Sequence, residues 1–340
     1  MSVTININHS ERTLAAEPGR SLLNVLANHG IYIPSSCGGR AICGMCKVKV
    51  LSGAGPFTPG ELRLLSEAER VGSLRLSCQV RTDADLALEI PAELFLAKKY
   101  RTVVASCRAL THDTREIRLK LVSPDRMAFR AGQFAQLVIP PHDDIKTETI
   151  RAYSIATPPS RAGEVEFDVR LVPKGIASTF IDERLKEGDE LAIIGPMGEF
   201  GLRQGDADMI CIAGGSGMAP IKAILLDMYE RKIPKRSVWF FFGAVTKADL
   251  FYVALFRELE KSWPVFHFVP ALSAPAPGDD WPGETGLIPD VAGRYLDGKL
   301  DRASPKEAYL CGSPGFLNAS IRMLAAHGVP RPRVFFDKFV

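Results

Sequence analysis

The chain has 340 residues, of which 46% are hydrophobic and 24% charged, and its net charge is +3. That length exceeds one ordinary core and predicts two or three domains, and the near-balanced charge carries no stripe of the kind that reads nucleic acid. No apolar run is long enough to cross a bilayer, and the opening Met-Ser-Val-Thr-Ile-Asn lacks the regions of a signal peptide, so a cytoplasmic protein without a membrane span is expected.

Val3, Ile5 and Ile7 alternate with polar residues as a strand, and Arg12–Ala16 returns as its hairpin partner. Ser21 reads as an N-cap, Leu22, Val25 and Leu26 recur at helical spacing, and Gly30 stands at the C-terminal stop. Then comes Cys37-Gly-Gly-Arg-Ala-Ile-Cys43-Gly-Met-Cys46, with Cys78 after a long gap. Three cysteines in a glycine-rich loop and a distant fourth are what a [2Fe–2S] cluster needs: four thiolates on two irons, with backbone N–H groups aimed at the sulfurs. The Cys-x5-Cys-x2-Cys spacing is one residue longer than the plant-type pattern. A zinc ribbon, the other four-cysteine reading, places its ligands as two Cys-x2-Cys pairs, and Cys78 has no second cysteine beside it. A reducing cytoplasm suits thiols as metal ligands rather than disulfides. Arg40 reads equally as a partner of the cluster or of an acidic acceptor, and as a solvated surface residue. A strand over Lys47–Leu51, a polar helix over Pro59–Arg70 and strands over Leu74–Val80 and Leu86–Ile90 complete residues 1–92. This stretch resembles the β-grasp fold of plant-type ferredoxins. Residues 1–90 hold nine Lys/Arg against eight Asp/Glu, whereas free ferredoxins are acidic, which favours a domain tethered to its partner.

Pro91–Tyr100 reads as a linker, and residues 98–204 as an antiparallel β-barrel with strands at Val103–Arg108, Thr114–Leu121, Phe134–Ile139 and Val165–Leu171. Within it lie Arg151, Ala152, Tyr153 and Ser154; then Gly175, Ala177, Ser178 and Thr179 at the start of a helix; then Gly195, Pro196, Gly198 and Phe200. Arg-x-Tyr-Ser, Gly-x-x-Ser-Thr and Gly-Pro-x-Gly-x-Phe, in that order, resemble the flavin domain of the ferredoxin–NADP reductase superfamily. The physics is consistent with what that resemblance implies: a tyrosine offers a flavin its face and hydroxyl, an arginine forks onto pyrophosphate, and amides at a helix start cradle the same anion.

From residue 205 to 340 strands and helices alternate, as in a parallel α/β sheet. Met209–Ala213 runs into Gly214, Gly215, Ser216, Gly217, Met218, Ala219 and Pro220, with Pro220 placed for N1 of a helix whose apolar face is Ile221, Ile224, Leu225 and Met228. Such a loop presents N–H groups to a dinucleotide pyrophosphate, and it is similar to the Gly-Gly-x-Gly-x-x-Pro loop of the same superfamily. Strands follow at Val238–Gly243, Val265–Ala271 and Ala308–Cys311. Cys311, Gly312 and Pro314 then lead into an amphipathic helix ending near Gly328. The resemblance implies that this Cys-Gly-x-Pro borders the nicotinamide, that Ser154 touches the reactive edge of the flavin, and that Phe339 lies over it. A packing role is the other reading of Cys311 and of Phe339. Lys247, after Gly243, leaves NADPH open beside the expected NADH, and FAD rather than FMN follows from the resemblance and the Gly195–Phe200 loop.

The whole chain resembles iron–sulfur flavoprotein reductases with a ferredoxin domain first, most of all the F subunit of the sodium-pumping NADH:quinone reductase and the reductase components of multicomponent oxygenases. That F subunit carries an N-terminal membrane helix, while this chain opens on the ferredoxin strand, so a soluble reductase, monomeric between encounters, is expected. Electrons would pass from NADH to FAD to the cluster and on to a protein acceptor such as an oxygenase. A peripheral subunit of a membrane quinone reductase and a non-enzymatic electron carrier are the alternatives.

Overall fold

A computed structural model describes residues 2–235, 237–301 and 303–338. Three sheets follow one another along the chain. In the first, β1 (Val3–Ile7) and β2 (Arg12–Ala16) form the expected hairpin, and α1 (Leu22–Asn28) starts at Ser21, whose side chain accepts from the Asn24 N–H. Next come β3 (Lys47–Ser52), α2 (Pro59–Leu64), α3 (Glu67–Val71), β4 (Leu74–Leu76) and β5 (Leu86–Glu89). The sheet order β2-β1-β5-β3-β4, with β1 and β5 parallel, wraps around α1 and buries Leu22, Leu26, Val48 and Leu88 in one core.

The polar stretch over 59–70 forms two helices rather than one. Thr58 and Ser66 each build a capping box, with Glu61 and Glu69, and the second box starts a new helix where the first ends at Leu65. The predicted strand over 74–80 ends at Leu76, because the Cys78 loop turns away to meet the other cysteines.

The second sheet comprises β6 (Lys98–Ala109), β7 (Thr114–Ser123), β8 (Phe134–Ile139), β9 (Thr149–Ser154), β10 (Glu164–Arg170) and, after α4 (Ile176–Glu183), β11 (Glu190–Met197). Its order is β10-β7-β6-β11-β8-β9, and an antiparallel bridge between Ile155 and Phe167 joins the two ends into a barrel. The supposed linker is shorter than expected: its last three residues already belong to β6.

In the third unit β12 (Asp208–Gly214), α5 (Met218–Glu230), β13 (Val238–Ala244), α6 (Val253–Ser262), β14 (Phe266–Leu272), β15 (Glu284–Thr285), α7 (Ile288–Gly298), β16 (Lys306–Gly312), α8 (Pro314–Ala326) and β17 (Val334–Lys338) build a parallel sheet of order β15-β14-β13-β12-β16-β17. Alternate residues of β12 face opposite layers, Met209, Cys211 and Ala213 packing under α5 and α6, Ile210 and Ile212 under α7 and α8. Pro220 is not at N1. A 3-10 turn over Gly215–Gly217 runs straight into α5, which begins two residues earlier at Met218. Pro220 still falls in the first turn, where the N–H it lacks has no helical partner.

Candidate functional site

The cysteine loop curls through four residues with positive φ: Gly38 at 64°, Gly39 at 86°, Ala41 at 52° and Gly44 at 69°. That path gathers Cys37, Cys43, Cys46 and Cys78, all free, with the Cys37 and Cys43 sulfurs 3.4 Å apart. Burial works against a Cys37 thiolate, but hydrogen bonds from the amides of Ile42, Cys43 and Arg40 outweigh it and bring the thiol down to about 7. Cys78, hydrogen-bonded to the Cys46 thiol and reached by Gln79 and the Ala41 amide, is lowered to about 6, while Cys46 is pushed up by Cys78 and by burial. Amides pointed at sulfurs are what an anionic iron–sulfur cluster requires, so the donor set fits one. A buried ion pair clamps α2 over the loop: Glu61, fully buried, accepts from Arg75 at 2.8 and 2.9 Å and from the Leu76 N–H at 3.1 Å.

A cleft of about 750 Å³ opens where the three units meet. Arg151, Ala152, Tyr153 and Ser154, on β9, form one wall. Gly175, Ala177 and Ser178, at the start of α4, form another, and Ser178 Oγ fixes the preceding turn by accepting from the Val172 N–H at 3.0 Å. Gly214 arrives from the end of β12, Ser216 from the turn after it and Ala219 from the first turn of α5, while Gly312 ends β16 and Pro314 starts α8. Ser36 and Arg40 bring the cysteine loop to the same cleft.

The cleft's charge suits an anion. Burial and the nearby Arg40 guanidinium both disfavour the charged form of Arg151, and among the described residues Arg151 forms no ion pair. Within that set its Nη1 donates to the Ile150 carbonyl alone, at 2.7 Å. Helix α4 has no side-chain cap, so its first amides are open to a phosphate, whereas the first amide of α5, Met218 N–H, is already taken by the Gly215 and Ser216 carbonyls of the 3-10 turn. Tyr153 is pushed up to about 12 by burial, so it presents a neutral phenol. These features fit a flavin dinucleotide, with Arg151 and the α4 amides toward its pyrophosphate.

Several expected site residues lie elsewhere. A Cβ on Gly195 would come within 2.9 Å of Ala135, and one on Gly198 within 2.9 Å of the Phe134 ring, so both glycines serve barrel packing. Phe200 packs edge-on to Tyr309 at 6.2 Å. Pro196 and Thr179 do not line the cleft. Gly217 is needed for closeness, since a Cβ there would sit 2.1 Å from the Cys311 carbonyl oxygen, and Gly243 is packed against Ile288. Gly215, Met218 and Pro220 belong to the turn and the buried side of α5. Cys311 is fully buried in the core, its thiol pushed up by burial and by Asp337, and it is not among the residues lining the cleft. Phe339 lies outside the described residues.

Asp337 was not anticipated. Strand β17 pairs it with Cys311, and Ser154 Oγ donates to its Oδ2 at 3.0 Å. Burial raises this carboxyl, partly offset by Ser154 and the Lys338 amide. Arg170 and Lys174, also on the cleft, both precede Gly175; two cations ahead of a glycine-started helix are the signal that sequence reading passed over.

Known proteins share the three domains. The model for the 2Fe-2S iron-sulfur cluster binding domain matches residues 5–83, that for the oxidoreductase FAD-binding domain residues 101–201, and that for the oxidoreductase NAD-binding domain residues 211–321. The F subunit of the Na(+)-translocating NADH-quinone reductase of Neisseria meningitidis serogroup C is 36% identical over 374 residues, covering 99% of this chain and 91% of that protein. The F subunit of the Yersinia pestis (strain Pestoides F) enzyme is 35% identical over 381 residues, with the same coverage. Among solved structures, the Amycolatopsis cytochrome P450 reductase GcoB superposes with a TM-score of 0.78 at 28% identity, covering 99% of this chain and 98% of its own. The ferredoxin reductase in carbazole 1,9a-dioxygenase superposes at 0.73 and 28%, covering 100% and 99%. No helix among the described residues is long and apolar enough to cross a membrane. The chain is thus an oxidoreductase of the iron–sulfur flavoprotein reductase family to which the F subunit of the Na(+)-translocating NADH-quinone reductase belongs, with 2Fe-2S, FAD-binding and NAD-binding domains in that order.

Proposed function

We propose that the chain is the NADH-dependent reductase component of a multicomponent enzyme, delivering single electrons from its [2Fe–2S] cluster to a separate protein, in the first instance an oxygenase. The observation that carries this reading is the single cleft lined by all three units, with Ser36 and Arg40 of the cysteine loop facing Arg151 and Ser154 of the barrel and Gly214 of the α/β unit. When bound, FAD supplies the conversion between the paired electrons of a hydride and the single electrons a cluster takes. Cys37, Cys43, Cys46 and Cys78 hold the cluster; Arg151, Tyr153, Ser178 and the α4 amides hold FAD. Ser154, oriented by Asp337, sets the polar edge where nicotinamide and flavin meet, and Gly214, Ser216 and Ala219 with Gly312 and Pro314 seat the nicotinamide dinucleotide.

NADH is favoured over NADPH by the surroundings of Lys247. Its ammonium is tied to the Asp279 carbonyl at 3.0 Å and its N–H donates to the Asp279 carboxylate at 3.1 Å, an acidic setting for a 2′-phosphate. The oxygenase assignment draws on the superposition with the two oxygenase-linked reductases along nearly their whole length. The greater identity to the F subunit supports a second reading, electron input to a membrane quinone reductase. Two measurements separate them: co-purification of the tagged full-length chain from its native cells, and its partition between membrane and soluble fractions at physiological salt. Recovery with an oxygenase in the soluble fraction supports the first reading; recovery with membrane proteins of a quinone reductase overturns it.

A further inference from the structure

The junction between barrel and α/β unit buries three carboxyl groups. Glu116 of β7 faces Asp168 of β10 directly across the ladder, and Glu166 precedes Asp168 by two residues on the same face. They are 1%, 4% and 2% exposed. All three converge on one hydroxyl from the other unit. Tyr252 Oη lies 2.7 Å from Glu116 Oε2, 2.8 Å from Asp168 Oδ1 and 3.2 Å from Glu166 Oε1.

A phenol donates one proton and otherwise accepts. Glu116 is forked by Arg108, at 2.6 Å to each oxygen, and Glu166 is paired with Lys222 and, at 3.4 Å, with Arg118. Both are therefore carboxylates that only accept. Asp168 has no cation within ion-pair distance among the described residues, and its Oδ2 is buried without a hydrogen-bond partner. The nearest basic residue along its own strand, Arg170, is turned to Asp113 at 2.7 Å.

We propose that Asp168 is a neutral carboxylic acid in this arrangement, donating to Tyr252, which donates on to Glu116, so that one shared proton fastens the nicotinamide unit onto the flavin barrel. Asp168 and Tyr252 are thus positioning residues. A metal ion in the carboxylate cluster is disfavoured because Lys222 already lies on Glu166 and over the Tyr252 ring, 3.8 Å from its centroid. Burial, opposed by Lys222 and reinforced by Glu166 and Glu116, raises the Asp168 acid to about 6. As pH climbs through that value the proton leaves to water in the cleft that Asp168 lines. Three carboxylates then compete for one hydroxyl proton. The anchor weakens at a residue whose backbone sits in the left-handed region, φ 56°, a conformation that needs support from its surroundings.

The test uses the full-length holoprotein. Infrared difference spectra between pH 5 and pH 8 are expected to show a protonated-carboxyl C=O band that vanishes in Asp168→Asn. Amide hydrogen exchange over 218–230 and 250–256, corrected for intrinsic pH dependence, is expected to rise about tenfold across that range, the worth of one net hydrogen bond. In Asp168→Asn the exchange should stay low and flat, the amide mimicking the neutral acid. In Tyr252→Phe it should be high throughout. An unchanged carboxyl band in Asp168→Asn, or exchange that keeps its pH dependence there, overturns the proposal. The proposal's kinetic consequence, a KM for NADH that rises with pH at nearly constant kcat, rests on the reductase reading. The exchange arm needs no NADH, so a chain that failed to oxidise NADH would defeat that reading and leave the latch standing.

Discussion

Ser154 shows how much a single hydroxyl depends on its neighbours. It is 5% exposed, yet it lines the cleft and spends its proton on Asp337, which leaves its lone pairs free to accept. Replacing it with alanine removes the hydroxyl and leaves the Asp337 carboxyl with the Lys338 amide but no side-chain donor. Reduction of the flavin by NADH is expected to slow about ten- to a hundredfold, the range of one charge-assisted hydrogen bond, while FAD stays bound. Stopped-flow absorbance measures this, and an unchanged rate would remove Ser154 from the mechanism. Asp337→Asn is expected to cost less, since an amide still accepts from Ser154. At the cysteine loop, Cys46→Ser is expected to remove iron and acid-labile sulfide with the yellow chromophore retained, as read by metal analysis and visible spectra. That the four cysteines come together and that Arg151 through Ser154 form one cleft wall was legible in the sequence from the spacing and order of the motifs. Asp337 was not, because only the pairing of β17 with β16 carries it to Ser154 across 183 positions of chain.

The elements around the site are held by a few local devices. Thr58 with Glu61 and Ser66 with Glu69 split one polar stretch into α2 and α3, and Glu61 then reaches inward to Arg75. Burial alone would raise the Glu61 carboxyl, but Arg75 and the Thr58 and Leu76 amides hold it below the usual range. A depressed carboxyl adds stability above its unfolded value and loses it as pH falls through the folded one. The ferredoxin unit should therefore weaken in acid below the ordinary carboxylate range. Glu61→Gln leaves Arg75 buried and unpaired and is expected to cost about 3–5 kcal/mol; urea unfolding followed by cluster absorbance checks it, and a loss under about 1 kcal/mol would contradict the clamp. At the head of α5, Gly217→Ala places a methyl group against the Cys311 carbonyl. The expected cost is about 1–3 kcal/mol, with weaker NADH binding measured by titration. The strand–turn–helix at β12 and α5 was readable from its apolar run and glycines. The helix start was not, because a 3-10 turn and an α-helical first turn make similar demands on the residues that form them.

At the scale of the molecule, the ferredoxin unit is docked rather than tethered alone. Tyr32 and Met45 pack against Phe134, Val138 and Ile194 of the barrel, and Gln136 Nε2 donates to the Ser35 carbonyl at 2.7 Å in a buried setting. A Cβ on Gly38 would come within 3.3 Å of Arg151 Nη1, which shows how closely the cysteine loop approaches the flavin wall. The order of domains could be read from the sequence; this docking could not, because it rests on side chains scattered over both units without a periodic pattern. The most direct test is anaerobic addition of NADH to the purified full-length chain, with flavin absorbance and the electron paramagnetic resonance of the cluster recorded together. Bleaching of the flavin followed by the signal of a reduced [2Fe–2S] cluster, with the signal but not the bleaching lost in Cys46→Ser, is the expected result. A flavin that bleaches while the intact cluster stays oxidised would contradict the path from nicotinamide to iron.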